Sequence, residues 1–471
     1  MSTHITVSPE MPANDPLRED LPDEDPPSFI FLALALSTGV GIDILAWGHA
    51  LGLGSAVAGI GVVALLASKT PNVEGPVAGA TAVFFASLAW RASPEVQALN
   101  LSFGVAGVGL MIYRSRISAW MVRDALRGII SPWAEALPRG LDYLKRSIPT
   151  LIPDSLRSAF PWLRGSLVAV PFLIVFGALF SSADSTFARL AERLLDIEID
   201  INTILRHLTV TMLATVAIIG LWRYPLRTPL TGPFVSSVRI PQESTVVLGA
   251  LNMLFGSFVV VQFSHFFGES ATTLAEAARR GFFELVVVSG LVIIIILTVD
   301  TITDPSRVLK LWSMGLVSQT LIIWVSAMGR MANYVNAFGL TQLRLYTTVF
   351  MVWIGFLLGI ASHTILRSKR PAFVKRGIVA ACVLMMTITI LNPDGLITRV
   401  NLSANDKPDL SYISELSIDR GPALKLFDTE ICPAAKVSLM RDIAEIADAD
   451  IRSWAWSSYR AKALLTSWPS C

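Results

Sequence analysis

Two long apolar runs separated by a short polar segment, within residues 245–297, limit the folds open to this chain more than any other feature. The first run extends from Val246 to Phe267 and the second from Phe282 to Val299. A transmembrane helix needs roughly 17–25 mostly apolar residues, so each run is long enough to cross a bilayer. The polar segment between them would hold charged side chains at the edge of the lipid. This pattern predicts a helical hairpin in an integral membrane protein.

The composition of the whole chain agrees with a membrane protein. Of the 471 residues, 53% are hydrophobic and only 16% are charged, whereas soluble domains carry about 25% charged residues. A chain with so few charges cannot cover a soluble surface. No basic face with interleaved aromatic residues is present on a soluble module, which argues against nucleic-acid binding. The lipid bilayer is therefore the expected partner.

Motifs that would indicate a metal site, a cofactor or a well-known catalytic class are missing. The three cysteines form no CxxC pair, which argues against a zinc ribbon or a thioredoxin-like site. The sequence also has no P-loop, no GxSxG elbow and no kinase motif set. We therefore expect no metal ion and no cofactor. Scattered carboxylates and arginines can suffice for a membrane enzyme, so an enzyme stays open.

Apolar runs of helical length recur along the chain and predict an all-α fold, a polytopic transmembrane bundle of about eleven helices. One run is short and another contains Asp43, so the count is open by one in either direction. The predicted spans are residues 29–47, 51–68, 76–90, 96–113, 165–182, 206–222, 246–267, 282–299, 311–329, 346–364 and 376–391.

Charge and polarity divide the chain into five predicted parts. In order, these are an acidic disordered tail (1–28), a four-helix membrane unit (29–113), a basic amphipathic connection (114–164), a main membrane domain of seven helices (165–391) and a small helical extracytoplasmic domain (392–471). The basic connection has nine basic residues against four acidic ones, interleaved with apolar residues. This pattern favours helices lying on an anionic leaflet over a binding surface for a soluble partner.

The charges of the connections predict the orientation of the chain. Basic loops stay in the cytoplasm, and the basic segments 114–164, 223–245 and 365–375 all follow an even number of predicted crossings. The acidic segment 183–205 falls on the opposite side. The N-terminus is therefore expected inside and the C-terminus outside.

Several stretches resemble one family of proteins. They read FGALFSSADSTF (176–187), LNMLFGSFVVVQFSHFFG (251–268), LAEAARRGFFEL (274–285), NYVNAFGLTQLRLY (333–346), LNPDGLITRVNL (391–402) and DLSYISELSIDRGPAL (409–424). In this order they resemble the bacterial multi-pass membrane proteins grouped as domain of unknown function 4173, which has relatives in the 4153 group. The resemblance covers roughly residues 165 to 425. It implies a polytopic helical fold in the bacterial cytoplasmic membrane, and it implies no reaction and no ligand.

Charged residues near the polar segment of the hairpin form the first candidate site. Glu276 and Arg280 are four residues apart with the acid first, which is the favourable order for an ion pair on a helix. Arg279 points about 100° away from Arg280, and Glu284 follows one turn later. A charge deep in lipid costs about 3 kcal/mol or more, so it usually faces the protein interior. These residues either fix the hairpin as an ion-pair cluster or bind an ion or substrate.

A polar stripe precedes this segment. Gln262, His265 and Glu269 share one helix face because they are three and four residues apart. His265 and Glu269 have a spacing that suits a metal ion, but no third ligand lies nearby in the sequence. We therefore interpret the stripe as buried hydrogen-bonding groups.

Four acidic residues in or beside apolar runs are further candidates. Asp43 lies within a run and has no local partner, and Asp300 ends a run. Asp184 either caps the following helix or faces an outer cavity. Asp394 belongs to Asn-Pro-Asp-Gly, a strong turn signal. Nearby residues that could line an outer-face site are Asn392, Arg399, Asn401, Asp409, Tyr412 and Asp419.

The cysteines permit one disulfide bond outside the membrane. With the C-terminus outside, Cys432 and Cys471 would lie in an oxidising compartment, where disulfides persist. The alternative is two free thiols. Cys382 lies in a predicted span and is expected to be inert.

Three function classes stay open on this sequence. Transport of a small solute or ion is favoured by the number of helices and by polar residues within them, such as Asn252 and Gln319. The alternatives are a membrane-embedded enzyme or assembly factor acting on lipid or envelope precursors, and a non-catalytic sensor or scaffold. A small-molecule or lipid ligand fits the first two, and protein partners are left open.

Overall fold

A computed structural model describes residues 29–69, 75–113, 122–151, 201–223, 241–266, 282–302, 306–367, 372–404, 409–425, 432–447 and 450–466. This part of the chain is helical and contains no β-strand, so the all-α prediction is confirmed there.

Sixteen α-helices and three short 3₁₀ turns make up the described residues. The α-helices are α1 (Phe29–Leu45), α2 (Leu53–Lys69), α3 (Gly75–Ala86), α4 (Pro94–Ile112), α5 (Val122–Leu151), α6 (Ile201–Trp222), α7 (Pro241–Phe266), α8 (Phe282–Ile302), α9 (Arg307–Phe338), α10 (Gln342–Arg367), α11 (Ala372–Leu391), α12 (Pro393–Ala404), α13 (Leu410–Glu415), α14 (Gly421–Leu424), α15 (Cys432–Ala447) and α16 (Trp456–Thr466). The 3₁₀ turns are Ser87–Ala89, Ile418–Arg420 and Ile451–Ser453.

Five of these helices are long and apolar enough to cross a membrane, namely α4, α6, α9, α10 and α11. Shorter apolar helices lie within α1, α2, α7 and α8 and across α3 with its following 3₁₀ turn. Each of these ten positions overlaps one predicted span. The remaining predicted span, 165–182, lies outside the described residues, so the count of eleven stays a prediction.

Large apolar side chains cover the outside of these helices. Val246, Met253 and Leu311 are 71%, 75% and 74% exposed. Between 28% and 44% of each long apolar segment is buried inside the protein. An apolar surface of this extent is unfavourable in water and favourable in lipid. The apolar helices therefore indicate a membrane protein.

Helix α5, within the predicted basic connection, packs lengthwise against α4 and α6. The helices approach closely because small residues meet at the contact: a Cβ added at Gly220 would lie 1.7 Å from the Ala136 carbonyl oxygen. The Trp133 Nε1 also donates to the Val105 carbonyl oxygen at 3.1 Å. Glu135 and Arg139 on α5 pair with each other and are partly exposed. The interpretation of this connection as helices on an anionic leaflet, and the alternative of a surface for a soluble partner, stay predictions.

The connections between successive helices collect at two ends of the bundle. We name the first the polar end; it contains the connections 45–53, 86–94, 338–342 and 391–393. The second, the basic end, is where α2, α4, α8 and α10 end and where α3, α9 and α11 begin. At the polar end, contacts between distant residues tie the connections together: the Leu53 N–H donates to the Trp454 carbonyl oxygen at 2.9 Å, and the Ser457 N–H donates to the Trp90 carbonyl oxygen at 3.1 Å.

Candidate functional site

Segment 409–425 packs over three helix connections at the polar end and brings buried charges together there. These connections precede α4, join α9 to α10, and join α11 to α12. The site that results contains two buried carboxylates and their hydrogen-bond donors. We name it the Asp394–Asp419 site and define it by Arg91, Ser93, Gln342, Asp394, Ser417 and Asp419.

Asn392 forms the sharp connection between α11 and α12. Its φ is +59°, in the left-handed region that asparagine adopts more readily than most residues. Its Oδ1 accepts from the Gly395 N–H at 3.1 Å, and its Nδ2 donates to the Asp419 carbonyl oxygen at 2.6 Å. The turn predicted from Asn-Pro-Asp-Gly is thus confined to Asn392. The prediction was wrong for the next three residues, which belong to α12, because proline suits the first helical position.

Asp394 lies in the first turn of α12 and is fully buried. Its Oδ1 accepts from the Gln342 Nε2 at 3.1 Å. Its Oδ2 accepts from the Ser417 N–H at 3.3 Å and from the Ser417 hydroxyl. A carboxylate is also favoured at a helix N-terminus. Asp394 is therefore a buried carboxylate with both oxygens hydrogen-bonded, and it links α10, α12 and segment 409–425.

Asp419 is equally buried, at 1% exposure, but it is only partly hydrogen-bonded. Its Oδ2 accepts from the Ala92 N–H at 3.2 Å and the Ser93 N–H at 3.1 Å, both just before α4. Its Oδ1 is buried and makes no hydrogen bond of good geometry among the described residues, although the Ser457 hydroxyl lies close enough to affect the carboxylate. Burial raises the pKa of Asp419, and the Ser457 hydroxyl, the Arg91 charge and the Ser93 N–H partly offset that rise.

Arg91 supplies the positive charge of the site and also caps a helix. Its Nε donates to the Thr389 carbonyl oxygen and its Nη2 to the Ile390 carbonyl oxygen, each at 2.7 Å. These carbonyls end α11, where cations are favoured. Burial lowers the pKa of Arg91, while the charge of Asp419 acts in the opposite direction. An arginine still stays protonated at neutral pH.

Three hydroxyl groups surround the site. The Tyr412 hydroxyl accepts from the Gln342 N–H at 2.8 Å, and burial raises the pKa of Tyr412. The Tyr346 and Ser457 hydroxyls are buried and make no hydrogen bond of good geometry among the described residues, with Ser457 near Asp419 and Tyr346 near Ser93. Leaving such a group unpaired costs about 1–3 kcal/mol. Unpaired buried polar atoms indicate a place for a water, an ion or a proton.

A second charged pair holds segment 409–425 to α15. Arg420 is fully buried, and its Nη2 donates to the Asp442 Oδ2 at 2.6 Å and to the Ser438 hydroxyl at 2.7 Å. Its Nη1 donates to the carbonyl oxygens of Leu416 and Ser417. Arg420 directly follows Asp419 in the sequence, so this ion pair stabilises the 3₁₀ turn Ile418–Arg420 that contains Asp419.

Asp43, the intramembrane acid without a local partner, has a distant one. It is buried on α1, and both of its carboxylate oxygens lie 3.0 Å from the Nδ1 of His207 on α6. The partner is 164 residues away, so no local pattern could reveal it.

The structure places the outer-face candidates in different roles. Tyr412 and Asp419 join the site. Asp409 caps α13 by accepting from the Tyr412 N–H at 3.1 Å, and Arg399 is exposed on α12. Asn401 binds the α9–α10 connection, because its side chain accepts from the Leu340 N–H at 2.7 Å and donates to the Leu340 carbonyl oxygen at 2.8 Å.

Several predicted site residues fall outside what the structure describes. The backbone of α7 or α8 includes Gln262, His265, Glu284 and Asp300, but their side chains are outside the described part. Asp184, Glu269, Glu276, Arg279 and Arg280 lie outside the described residues altogether. The Glu276–Arg280 ion pair therefore stays a prediction.

The cysteine predictions have a similar status. Cys432 begins α15 but its side chain is outside the described part, and Cys471 lies outside the described residues. The disulfide therefore stays a prediction. Cys382 on α11 is a free thiol, partly buried.

Arg91, Ser93, Gln342 and Ser417 were missed at the level of sequence. Each is a common polar residue in a connection, and its role follows only from the packing of distant segments. Where the structure describes the chain, no group of three His, Cys, Asp or Glu side chains is placed to hold a metal ion.

Comparison with known proteins gives one match. A family model described as Domain of unknown function (DUF4153) matches residues 78–426, which is more than half of the chain and includes the whole Asp394–Asp419 site. No curated protein and no solved structure matches the chain. The predicted membership of the 4173 family is not confirmed, since the match falls on the group that the sequence analysis named as its relatives. The chain belongs to the DUF4153 family.

Proposed function

We propose that this protein carries a small solute or ion across the bacterial cytoplasmic membrane, and that the Asp394–Asp419 site closes the pathway on the extracytoplasmic side. The observation that carries the proposal is the buried carboxylate of Asp419 at a point where three helix connections meet; its Oδ1 makes no hydrogen bond of good geometry and lies near the Ser457 hydroxyl, which makes none either. An unpaired oxygen leaves room for a transported cation or a proton.

The proposed gate works through the charge of Asp419. In the ionised form, its Oδ2 holds the Ala92 and Ser93 N–H groups and so ties segment 409–425 to the start of α4. Protonation or cation binding neutralises the carboxylate and weakens these charge-assisted hydrogen bonds. The α4 connection is then released from segment 409–425. Burial raises the pKa of Asp419 and so lowers the cost of this neutralisation.

The proposed topology has eleven spans, with the N-terminus in the cytoplasm and the C-terminus outside. Ten apolar helices lie at ten of the eleven predicted positions, and the polar end collects the connections predicted to be outside. Reporter fusions after Arg193 and Ser457 should read outside, and fusions after Arg157 and Arg370 should read inside. Fusions after Arg370 and Ser457 that report the same side would contradict this topology.

The transport proposal is tested with the full chain in proteoliposomes. Wild type is compared with Asp419→Asn, which removes the charge but keeps the shape, and with Asp450→Asn, an exposed acid on a neighbouring turn. Fluxes of protons, alkali cations and a panel of small neutral and charged solutes are measured across an imposed gradient. We expect one flux in wild type that Asp450→Asn keeps and that Asp419→Asn raises, because the neutral amide lacks the charge that holds the gate closed. A lower flux in Asp419→Asn than in wild type would contradict the gate. Equal fluxes in Asp419→Asn and wild type, or no flux above that of protein-free vesicles, overturn the proposal.

A further inference from the structure

A groove of about 630 Å³ lies near the basic end, between α9, α10 and α11. Its volume is within the range of about 300–1,000 Å³ that is usual for small-molecule sites. Phe356, Gly359, His363 and Arg376 at this groove are exposed among the described residues. The lining residues that matter here are Trp324, Gly355, Phe356, Gly359, His363 and Arg376.

The wall of the groove formed by Trp324 is apolar because the indole N–H of this residue is hydrogen-bonded within the protein. The Trp324 Nε1 donates to the Met351 carbonyl oxygen at 2.9 Å, so the ring offers only its apolar surface. Glycines on α10 keep the groove open beside this ring. A Cβ added at Gly355 would lie 2.5 Å from Trp324, and one at Gly359 would meet nothing within 4 Å.

One end of the groove is cationic. Arg376 and His363 are exposed and form no ion pair with any carboxylate of the described residues. The connection beside them is basic in sequence, with Arg367, Lys369, Arg370 and Lys375. An unpaired cation at the edge of a membrane span, next to an apolar groove, is complementary to an anionic head group joined to an acyl chain.

We propose that the groove binds an anionic phospholipid from the leaflet at the basic end. The phosphate receives charge-assisted hydrogen bonds from Arg376 and from His363, and an acyl chain lies along Trp324 and Phe356 and over Gly359. Arginine is well suited to phosphate because its donors are fixed in a planar fork. Basic pockets between transmembrane helices are known places for anionic lipid head groups. This inference does not depend on the proposed transport.

The head-group half of the proposal is tested by native mass spectrometry of the delipidated full chain. Phosphatidylglycerol and phosphatidylcholine with the same acyl chains are titrated separately. We expect phosphatidylglycerol to bind more tightly, and Arg376→Gln to weaken it about tenfold, the effect of losing one charge-assisted hydrogen bond. Lys375→Gln is the matched control, because it removes the same charge one residue away, outside the groove lining. Equal losses in the two variants would mean general attraction to a basic surface and would overturn the site.

The acyl-chain half is tested by filling the groove. Gly359→Leu should abolish selective binding, whereas Gly329→Leu, at another glycine whose Cβ would meet nothing within 4 Å, should keep it. Melting temperatures of both variants are measured beside the titrations. If residues outside the described ranges occupy the groove instead, wild type will bind both lipids equally and Gly359→Leu will lower the melting temperature. That result overturns the proposal.

Discussion

The two ends of the helical bundle treat charge in opposite ways. At the polar end, Asp394 and Asp419 are almost completely buried, and backbone or side-chain donors from distant segments reach them. At the basic end, Arg376 and His363 are exposed beside an apolar groove and lack a carboxylate partner within the described part of the chain. Burying a charge requires partners, so the charges of the polar end are held by hydrogen bonds within the protein. The basic end keeps its charges available for a ligand.

The comparison predicts that substitutions at the polar end affect folding and that substitutions at the basic end affect binding. The largest effect is expected at Arg420. Arg420→Met should lower the free energy of unfolding by about 3–5 kcal/mol, because it leaves Asp442 and two carbonyl oxygens without their buried donor. Denaturant unfolding in detergent measures the loss, and Arg399→Met, on the exposed face of α12, is the control. If Arg399→Met lowers the free energy of unfolding as much as Arg420→Met, the burial of Arg420 does not explain its effect.

A second prediction concerns pH and the carboxylate of Asp419. Its pKa is raised in the folded protein above the ordinary value of 3.8, so the folded state binds more protons than the unfolded state between those two values. The contribution of Asp419 to the free energy of unfolding is therefore largest below pH 3.8 and is lost as pH rises through its folded-state pKa. The total loss is about 1.4 kcal/mol for each pH unit by which the folded-state pKa exceeds the ordinary one. Asp419→Asn should lack this fall. The melting temperatures of the two proteins, measured across that pH range, should change differently with pH. If they change in parallel, the pKa of Asp419 is not raised by folding.

A smaller effect is expected at the left-handed residue of the α11–α12 connection. Asn392→Ala should cost about 1–2 kcal/mol, because it removes the cap of α12 and leaves alanine at a positive φ. Asn392→Gly keeps the backbone conformation and should recover part of the loss. Denaturant unfolding of the two variants separates the two contributions. Identical losses would assign the whole effect to the side-chain hydrogen bonds.

The smallest effect is expected on the exposed face of α5. Asp142 and Arg146 pair at 2.9 Å, but their side chains are 60% and 62% exposed. Exposed pairs at this helical spacing contribute about 0.5 kcal/mol or less. Asp142→Asn should therefore leave the unfolding midpoint nearly unchanged. A loss as large as that of Asn392→Ala would show that this face of α5 is covered by another part of the protein.

Apolar runs were sufficient to locate the ten apolar helices among the described residues, since the physical requirement for a span is local. The run predicted at 346–364, for example, is the interior of α10, and only its ends differ. The partners of buried charges were beyond the reach of the sequence. Asp419 was named as a candidate, but its donors at Ala92 and Ser93 are 327 and 326 residues away. No spacing rule connects such distant positions, because the contact depends on how whole helices pack.

The hydrogen bonds between Asp419 and the start of α4 also impose an order on biogenesis. Ala92 leaves the ribosome 327 residues before its acceptor exists. At a synthesis rate of about 5–20 residues per second, the α4 connection waits roughly 15 to 65 s for that partner. During this interval the early helices lack the hydrogen bonds that join their polar end to segment 409–425. A chain interrupted before residue 419 would keep these donors unsatisfied, and membrane quality-control proteases could recognise the open end.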